Sequence, residues 1–343
     1  MQLNDFDYEL PEKYIAHSPL DPRDHSKLMV IDRKTRTITH HHFYNLPDLL
    51  PADTVLVRNS SRVIKARLKG TLPTGGHVEL FFSEPKGKKG GVFLVKPGRK
   101  FKDGSMVNVT INGESLQIQV RGELPTGERE LVFLNLQSTL EDFLKKHGEI
   151  PLPPYIKQED PNTFEKRYQT MYAKEEGSVA APTAGLHFTP EVMKNLENKG
   201  IKALDVTLHV GLGTFLPVKT ENVLEHHMHE ERYHIEENIW KEILKAKEEH
   251  HPILSIGTTT TRVLEHVAVH PDNLTGATSI FIYPPYEFKI IDMLLTNFHL
   301  PKSTLLILIS AFIGDREFAL HAYEEAKKND YRFFSFGDAM LII

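Results

Sequence analysis

The stretch Met106-Val107-Asn108-Val109-Thr110-Ile111-Asn112-Gly113-Glu114-Ser115-Leu116-Gln117-Ile118-Gln119-Val120-Arg121 decides how the middle of the chain folds. Apolar and polar residues alternate in Met106–Ile111 and again in Leu116–Arg121, the period of a half-buried strand. Asn112-Gly113 between them tolerates positive φ at both positions, as a tight hairpin turn requires. Working outward, His77–Phe82, Gly91–Lys96 and Glu130–Leu134 are further short apolar runs. Turn signals separate them at Thr74-Gly75-Gly76, Gly87 to Gly91, Asp103-Gly104 and Thr126-Gly127. Short strands at this spacing predict a small antiparallel β-barrel or sandwich over residues 65–135.

The flanks read differently. Before the β region, Leu28–Asp32 and Thr54–Val57 are short strands among loops marked by Pro19, Pro22, Pro47 and Pro51. After it, Ser138–His147 is a helix stopping at Gly148, and Ile150–Ile156 is a proline-rich connector. Thr189-Pro190-Glu191 starts a helix and Gly200 stops it. The spacing then predicts strand Ile201–Val210, helix Glu236–Glu249, strand Ile253–Ile256, helix Arg262–Val269 and strand Ser279–Tyr283. Helices Ser303–Ile313 and Glu317–Lys328 follow, with a last strand near Phe333–Phe336. Such alternation predicts an α/β domain with a mixed or largely parallel sheet and helices. Residues 1–64 are too few for a core of their own. They are expected to join residues 136–343, leaving 65–135 as an inserted barrel. A cleft between two such bodies is the expected ligand site.

At 343 residues the chain has the length of about two domains. It contains no cysteine, which excludes disulfides, thiolate catalysis and Cys-ligated metal clusters, and fits a reducing compartment. The N-terminus has no basic segment followed by an apolar one, so no secretory signal is expected. The longest apolar run, Leu305–Ile309 with Ala311–Ile313, falls far short of the ~20 residues of a membrane helix. A soluble cytoplasmic protein is expected. The formal net charge is −5, but Arg62–Lys102 carries eleven Lys/Arg against two Glu. The basic excess therefore sits on the β region, where it suits either a polyanionic partner or a merely solvated surface.

Four clusters in the α/β part carry candidate chemistry. Gly211-Leu212-Gly213-Thr214-Phe215 follows a strand but lacks the third glycine of a dinucleotide fingerprint, and Pro217 blocks an immediate helix. It reads as a tight loop able to approach a ligand, or as a structural turn. Gly257-Thr258-Thr259-Thr260-Thr261-Arg262 joins a strand to a helix. A helix N-terminus with hydroxyls and an arginine suits an anion, and threonine capping explains it equally well. Thr183-Ala184-Gly185-Leu186-His187-Phe188 is a loop of mostly small residues ending in an imidazole beside an aromatic ring. His226, His229 and Glu231 offer a possible metal set, but no His-Glu-x-x-His pattern is present, and acid/base or ribose-binding roles are equally open. No Gly-x-Ser-x-Gly elbow occurs. From the residues alone, the chain is an enzyme-like two-domain protein, with a non-catalytic RNA-binding module and a metal-dependent hydrolase as rivals.

The same clusters carry a resemblance. The chain resembles the S-adenosylmethionine:tRNA ribosyltransferase-isomerase family of queuosine biosynthesis from Asp5-Phe6-Asp7-Tyr8 to Phe336-Gly337-Asp338-Ala339-Met340. The carrying motifs are Pro151-Leu152-Pro153-Pro154-Tyr155-Ile156, Arg167-Tyr168-Gln169-Thr170, Ala180 to Thr189, Leu208 to Phe215, His226 to Tyr233, Gly257-Thr258-Thr259 with Arg262, and Thr296 to Ser303. Two stretches depart from the family pattern. Its Leu-Asn-Asn-Thr-Arg-Val is here Arg58-Asn59-Ser60-Ser61-Arg62-Val63, and its Tyr-Pro-Gly-Tyr is Tyr283-Pro284-Pro285-Tyr286.

The resemblance implies one α/β domain and one β-barrel. It also implies transfer and isomerisation of the ribosyl group of S-adenosylmethionine onto 7-aminomethyl-7-deazaguanine at the wobble position of tRNA with a GUN anticodon. Epoxyqueuosine-tRNA forms, and adenine and methionine leave. The donor is consumed as a co-substrate, and neither metal nor other cofactor is expected. A monomer without a membrane partner is expected. For catalysis the expected general base is His187 or His229, with Glu231 third, an imidazole near its ordinary pKa suiting that role. Thr183, Gly185, Phe188, Gly211, Gly213, Thr214, Phe215, Thr258, Thr259 and Arg262 are the expected contacts of the donor, with Phe188 and Phe215 against adenine or the sulfonium. The last three of the set, Thr258, Thr259 and Arg262, suit either the methionine carboxylate or a tRNA phosphate. Arg23, Arg62, Lys96, Arg99 and Lys100 are the expected tRNA contacts.

Overall fold

The computed structural model describes residues 1–125, 127–153, 155–156, 165–211, 213, 218 and 220–343. The chain forms two compact units. The first comprises Met1–Arg62, Pro154–Glu176 and Ala181–Ile343, the second Val63–Pro153 and Gly177–Ala180.

In the first unit, the strands before the insertion are β1 (Lys27–Asp32), β2 (Thr37–His42) and β3 (Val55–Asn59). A short helix α1 (Leu46–Leu49) lies between β2 and β3, and β4 (Ser61–Val63) follows. The second unit contains β5 (Arg67–Thr71), β6 (His77–Pro85), β7 (Gly90–Lys96), β8 (Met106–Ile111), β9 (Glu114–Glu123) and β10 (Arg129–Phe133). These six close into a barrel in the order β10-β7-β6-β5-β8-β9. Alternation fills it: Val107, Val109 and Ile111 of β8 and Leu116, Ile118 and Val120 of β9 are buried, and the residues between them mostly face water. Asn112 and Gly113 have φ of 46° and 85°, the two left-handed residues of the hairpin that pairs Ile111 with Glu114. β5 was not legible because Leu68 is its one strongly apolar residue.

The inserted unit reaches beyond the 65–135 read from the strands. Helix α2 (Leu140–His147) belongs to it, not to the α/β part. Its apolar face, Leu140, Phe143 and Leu144, is buried, and the Leu140 N–H donates to Lys88 O at 2.8 Å. Each such side chain contributes about 1.5–3 kcal/mol when buried, which the sequence periodicity could not allot to one body or the other.

The remaining strands are β11 (Glu175–Ser178), β12 (Lys202–Leu208), β13 (Glu231–His234), β14 (Ile253–Ile256), β15 (Thr275–Thr278), β16 (Met293–Asn297) and β17 (Ala339–Ile342). β4 and β11 form a separate two-stranded sheet. The first unit's main sheet has nine strands in the order β15-β13-β12-β3-β14-β16-β17-β1-β2. β12, β3, β14 and β16 are parallel neighbours, while β17 runs antiparallel to β16, so the sheet is mixed. Helices α3 (Pro190–Asn198), α4 (Glu237–Glu248), α5 (Gly257–Val269), α6 (Thr304–Ile313) and α7 (Arg316–Lys328) also belong to this unit. One core joins Leu28, Leu56, Leu254 and Leu295 of the sheet to Val192 and Leu196 of α3. The Thr189 hydroxyl caps α3 by accepting from Val192 N, and Gly200 follows at φ 85°.

Three expected elements are displaced. The edge strand is Thr275–Thr278, not Ser279–Tyr283. The last strand is Ala339–Ile342, because Arg332–Gly337 turns, with Phe334 at φ 74° and Gly337 N–H bonded to Phe334 O. α5 begins at Gly257, not Arg262. A run of threonines is a poor helix former, but here their hydroxyls bond back to the chain, Thr260 to Ile256 O at 2.8 Å and Thr261 to Gly257 O at 3.2 Å.

Candidate active site

The parallel strands β12, β3, β14 and β16 end at one edge of the sheet, where ligands of open α/β sheets bind. Asn59, at the end of β3, fixes that edge. Its amide N–H donates to Leu208 O at 2.9 Å, and its oxygen accepts from Leu208 N and Ser61 N. The family departures around it have local partners. Arg58 bonds Asp205 at 2.6 Å and stacks on Tyr172, and Ser60 N–H donates to Val206 O. The Pro284-Pro285 bond is cis.

Beyond β12 the chain continues beside the segment leading into β13. His209 N–H donates to Arg232 O at 2.8 Å, and Gly211 N–H donates to the Glu231 Oε1 at 3.0 Å. Next along, Gly213 lies against His229, so close that a Cβ there would stand 2.6 Å from the imidazole. Gly213 thus lets the chain pass the half-buried His229, while Gly211 lies in ordinary contact with the buried Glu231. Glu231 forms an ion pair with Arg262 of α5, both side chains being over nine-tenths buried. Arg262 spends Nη1 on that pair and keeps Nε and Nη2 without partners. In the same helix turn Thr258 is buried, and the Thr259 hydroxyl is buried and unpartnered. Gly257, at φ 86°, turns β14 into α5 and faces Ala184.

A second polar network is centred on His187. Asn297 at the end of β16 points its amide nitrogen at His187 Nε2 (3.0 Å), and the carbonyls of Phe334 and Asp338 orient that nitrogen. Nε2 therefore accepts, and Nδ1–H donates to the Ser26 hydroxyl at 2.7 Å. The Thr183 hydroxyl donates to the Asn297 oxygen at 2.9 Å. Burial, with Arg332 and Arg23 nearby, pushes the His187 pKa down to about 3. The expected imidazole near its ordinary pKa is thus not found at His187, which is a neutral, fully bonded ring stacked on Phe43.

Other expected contacts have partners within the protein. Phe188 is a core residue, edge-on to Phe43 and Tyr172, and offers no face to adenine. Gly185 approaches protein, not ligand: a Cβ there would stand 2.1 Å from the Tyr172 hydroxyl. Arg23 serves the fold, donating to the carbonyls of Gln169, Leu186 and Lys166. Arg62 similarly donates to Ala173 O. Lys96, Arg99 and Lys100 of the barrel unit are exposed and make no ion pair among the described residues. Thr214 and Phe215 lie outside the described residues. The reading of residue types missed Ser26 and Asn297, although Asn297 stands in a quoted family motif. Among the described residues, no three His, Asp or Glu side chains gather into a metal-holding group, and no helix is long and apolar enough to cross a membrane.

A family model described as "Queuosine biosynthesis protein" matches residues 3–342. The chain belongs to the queuosine biosynthesis protein family. Among family members, the S-adenosylmethionine:tRNA ribosyltransferase-isomerase of Thermotoga petrophila is 48% identical over 345 residues, covering all of both chains. That of Carboxydothermus hydrogenoformans is 50% identical over 349 residues, again with both covered throughout. The crystal structure of S-adenosylmethionine tRNA ribosyltransferase from Thermotoga maritima, at 2.00 Å, matches with a TM-score of 0.56 and 36% identity. The match covers 99% of this chain and 100% of that one.

Proposed function

We infer that this chain is an S-adenosylmethionine:tRNA ribosyltransferase-isomerase. It moves and isomerises the donor's ribosyl group onto 7-aminomethyl-7-deazaguanine at the tRNA wobble position, giving epoxyqueuosine-tRNA, adenine and methionine. The observation that carries this reading is the end-to-end likeness to relatives of that name at 48–50% identity. We take the acceptor to be tRNA with a GUN anticodon, and the enzyme to be a cytoplasmic monomer that needs no cofactor besides the consumed donor.

The groups at the sheet edge support this reading. The donor's amino-acid end is a zwitterion, and the Glu231–Arg262 pair is a charge-balanced site for one. The unpartnered Nε and Nη2 of Arg262 and the Thr259 hydroxyl suit its carboxylate, and Glu231 suits its ammonium. The sulfonium acidifies the adjacent C5′–H, and His229 is the general base we assign to it. His229 is half-buried and lies beside the same glycine loop as Glu231. Proton removal starts ring opening and expulsion of adenine. The aminomethyl nitrogen of the tRNA base then attacks, and epoxide closure displaces methionine. His187, neutral and held at both nitrogens, is a positioning residue for Asn297 and Ser26. Lys96, Arg99 and Lys100 attract the tRNA backbone.

Incubation with S-adenosylmethionine and precursor-bearing tRNA tests the reading. Adenine and methionine should appear in equal amounts, with the modified nucleoside in the digested tRNA and no loss of activity with chelator. Binding of tRNA without adenine release would leave an RNA-binding module instead. Activity abolished by chelator would favour the metal-dependent hydrolase.

A further inference from the structure

Three guanidinium groups of the first unit face one crevice. Arg23, Arg167 and Arg332 line it together with Ser26, His187 and Ser335. Arg23 and Arg167 also line a groove of about 370 Å³ with Lys166, Thr170 and Thr189. Two carboxylates answer them in part. Asp21, 3.4 Å from Arg167, has a side chain 85% exposed. Asp338, 3.7 Å from Arg332, already accepts the backbone N–H groups of Lys27 and Arg332. His187 on the wall is neutral.

Hydrogen-bond accounting separates the three. Arg23 is spent on backbone carbonyls. Arg167 donates through Nη2 to Leu20 O and keeps a buried Nε without a partner. Arg332 donates through Nη1 to Ser18 O at 3.4 Å, and its buried Nη2 faces Asp338 Oδ1 at 3.7 Å, too far for a hydrogen bond. A buried N–H is costly to leave unpaired, so two of them on guanidiniums of one net-positive crevice point to an oxyanion.

We propose that a backbone phosphate of the bound tRNA sits at the mouth of this crevice, whose interior of about 10 Å³ holds no more than a water, with Arg167 and Arg332 donating to its oxygens. The proposal rests on the transferase reading above. The competing oxyanion is the donor's carboxylate, but that group arrives with an ammonium and fits the balanced Glu231–Arg262 pair better than an excess of positive charge. A phosphate brings no cation of its own and suits planar guanidinium forks.

The test uses Arg167→Ala, Arg332→Ala and the charge-keeping Arg167→Lys and Arg332→Lys. For each, tRNA affinity is measured between about 50 and 200 mM salt, with KM for S-adenosylmethionine at saturating tRNA. The alanine variants should bind tRNA about tenfold more weakly or worse, with a log–log salt slope shallower by about 0.7. KM for S-adenosylmethionine should change by less than about twofold. The lysine variants should keep the salt slope and lose part of the affinity. Thermal melts check folding, and if the alanine variants unfold, the lysine variants decide alone. Unchanged tRNA affinity overturns the proposal. A raised KM for S-adenosylmethionine with normal tRNA binding also overturns it, and hands the crevice to the donor. Wild-type adenine release in the same reactions distinguishes the two failures. If it is absent, the transferase reading falls; if it is present, only the crevice does.

Discussion

The basic loop of the barrel and the carboxyl edge of the nine-stranded sheet use charge in opposite ways. On the barrel, Lys96, Arg99 and Lys100 stand in water. Their loop is held from beneath by the buried Arg129, whose Nε donates to the carbonyl of the fully buried Phe101 at 3.0 Å. At the sheet edge, Arg262 and Glu231 are buried against each other, and His187 is buried without charge. Exposed cations act at a distance through a field that salt screens, and the fold barely depends on them. Buried groups define a geometry, and the fold depends on each partner. On the proposed reading, affinity for a polyanion and the chemistry of transfer are expected to respond to different substitutions.

The largest effect is expected from Glu231→Ala. Removing one partner leaves Arg262 charged and buried, and should cost about 3–5 kcal/mol in denaturant unfolding. An unchanged midpoint would mean that the pair is not sealed from water. Gly185→Ala comes next, at about 1–3 kcal/mol, because its methyl group would overlap the Tyr172 hydroxyl. A neutral melting shift there would require Tyr172 to move freely.

His187 sharpens the contrast through pH. Its folded pKa of about 3 lies below the ordinary 6.5, so the unfolded chain binds the extra proton. The stability it contributes is full above pH 6.5 and is lost as pH falls toward 3, at up to about 1.4 kcal/mol per pH unit. Unfolding of His187→Gln should therefore depend less steeply on pH across that window. Equal slopes would show that the ring is not held neutral. The smallest effect on stability is expected from Arg99→Glu with Lys100→Glu, within about 0.5 kcal/mol. The same pair should weaken tRNA binding clearly at low salt and little at high salt. Unchanged affinity at low salt would remove this loop from the interface.

The barrel was legible because its signal is local: period-two alternation and an Asn-Gly turn lie within a few residues of each other. The sheet was legible where strands are bounded by turns, and failed at Arg332–Gly337, where an aromatic run looks like a strand but turns. Around the site, residue types were readable and environments were not. His187, Glu231 and Arg262 stand out by chemistry, but Ser26 and Asn297 meet His187 from 161 and 110 residues away. Burial also inverted one role: Phe188 reads as a ligand platform and is core.

The role of His229 as the base is read from the rate of adenine release at saturating S-adenosylmethionine and precursor tRNA, compared between wild type and His229→Gln. Wild type should release adenine, and the variant should do so about 10²–10⁴-fold more slowly with an unaltered melting midpoint. A His229→Gln enzyme that turns over at the wild-type rate would contradict the placement of the proton transfer beside the Glu231–Arg262 pair.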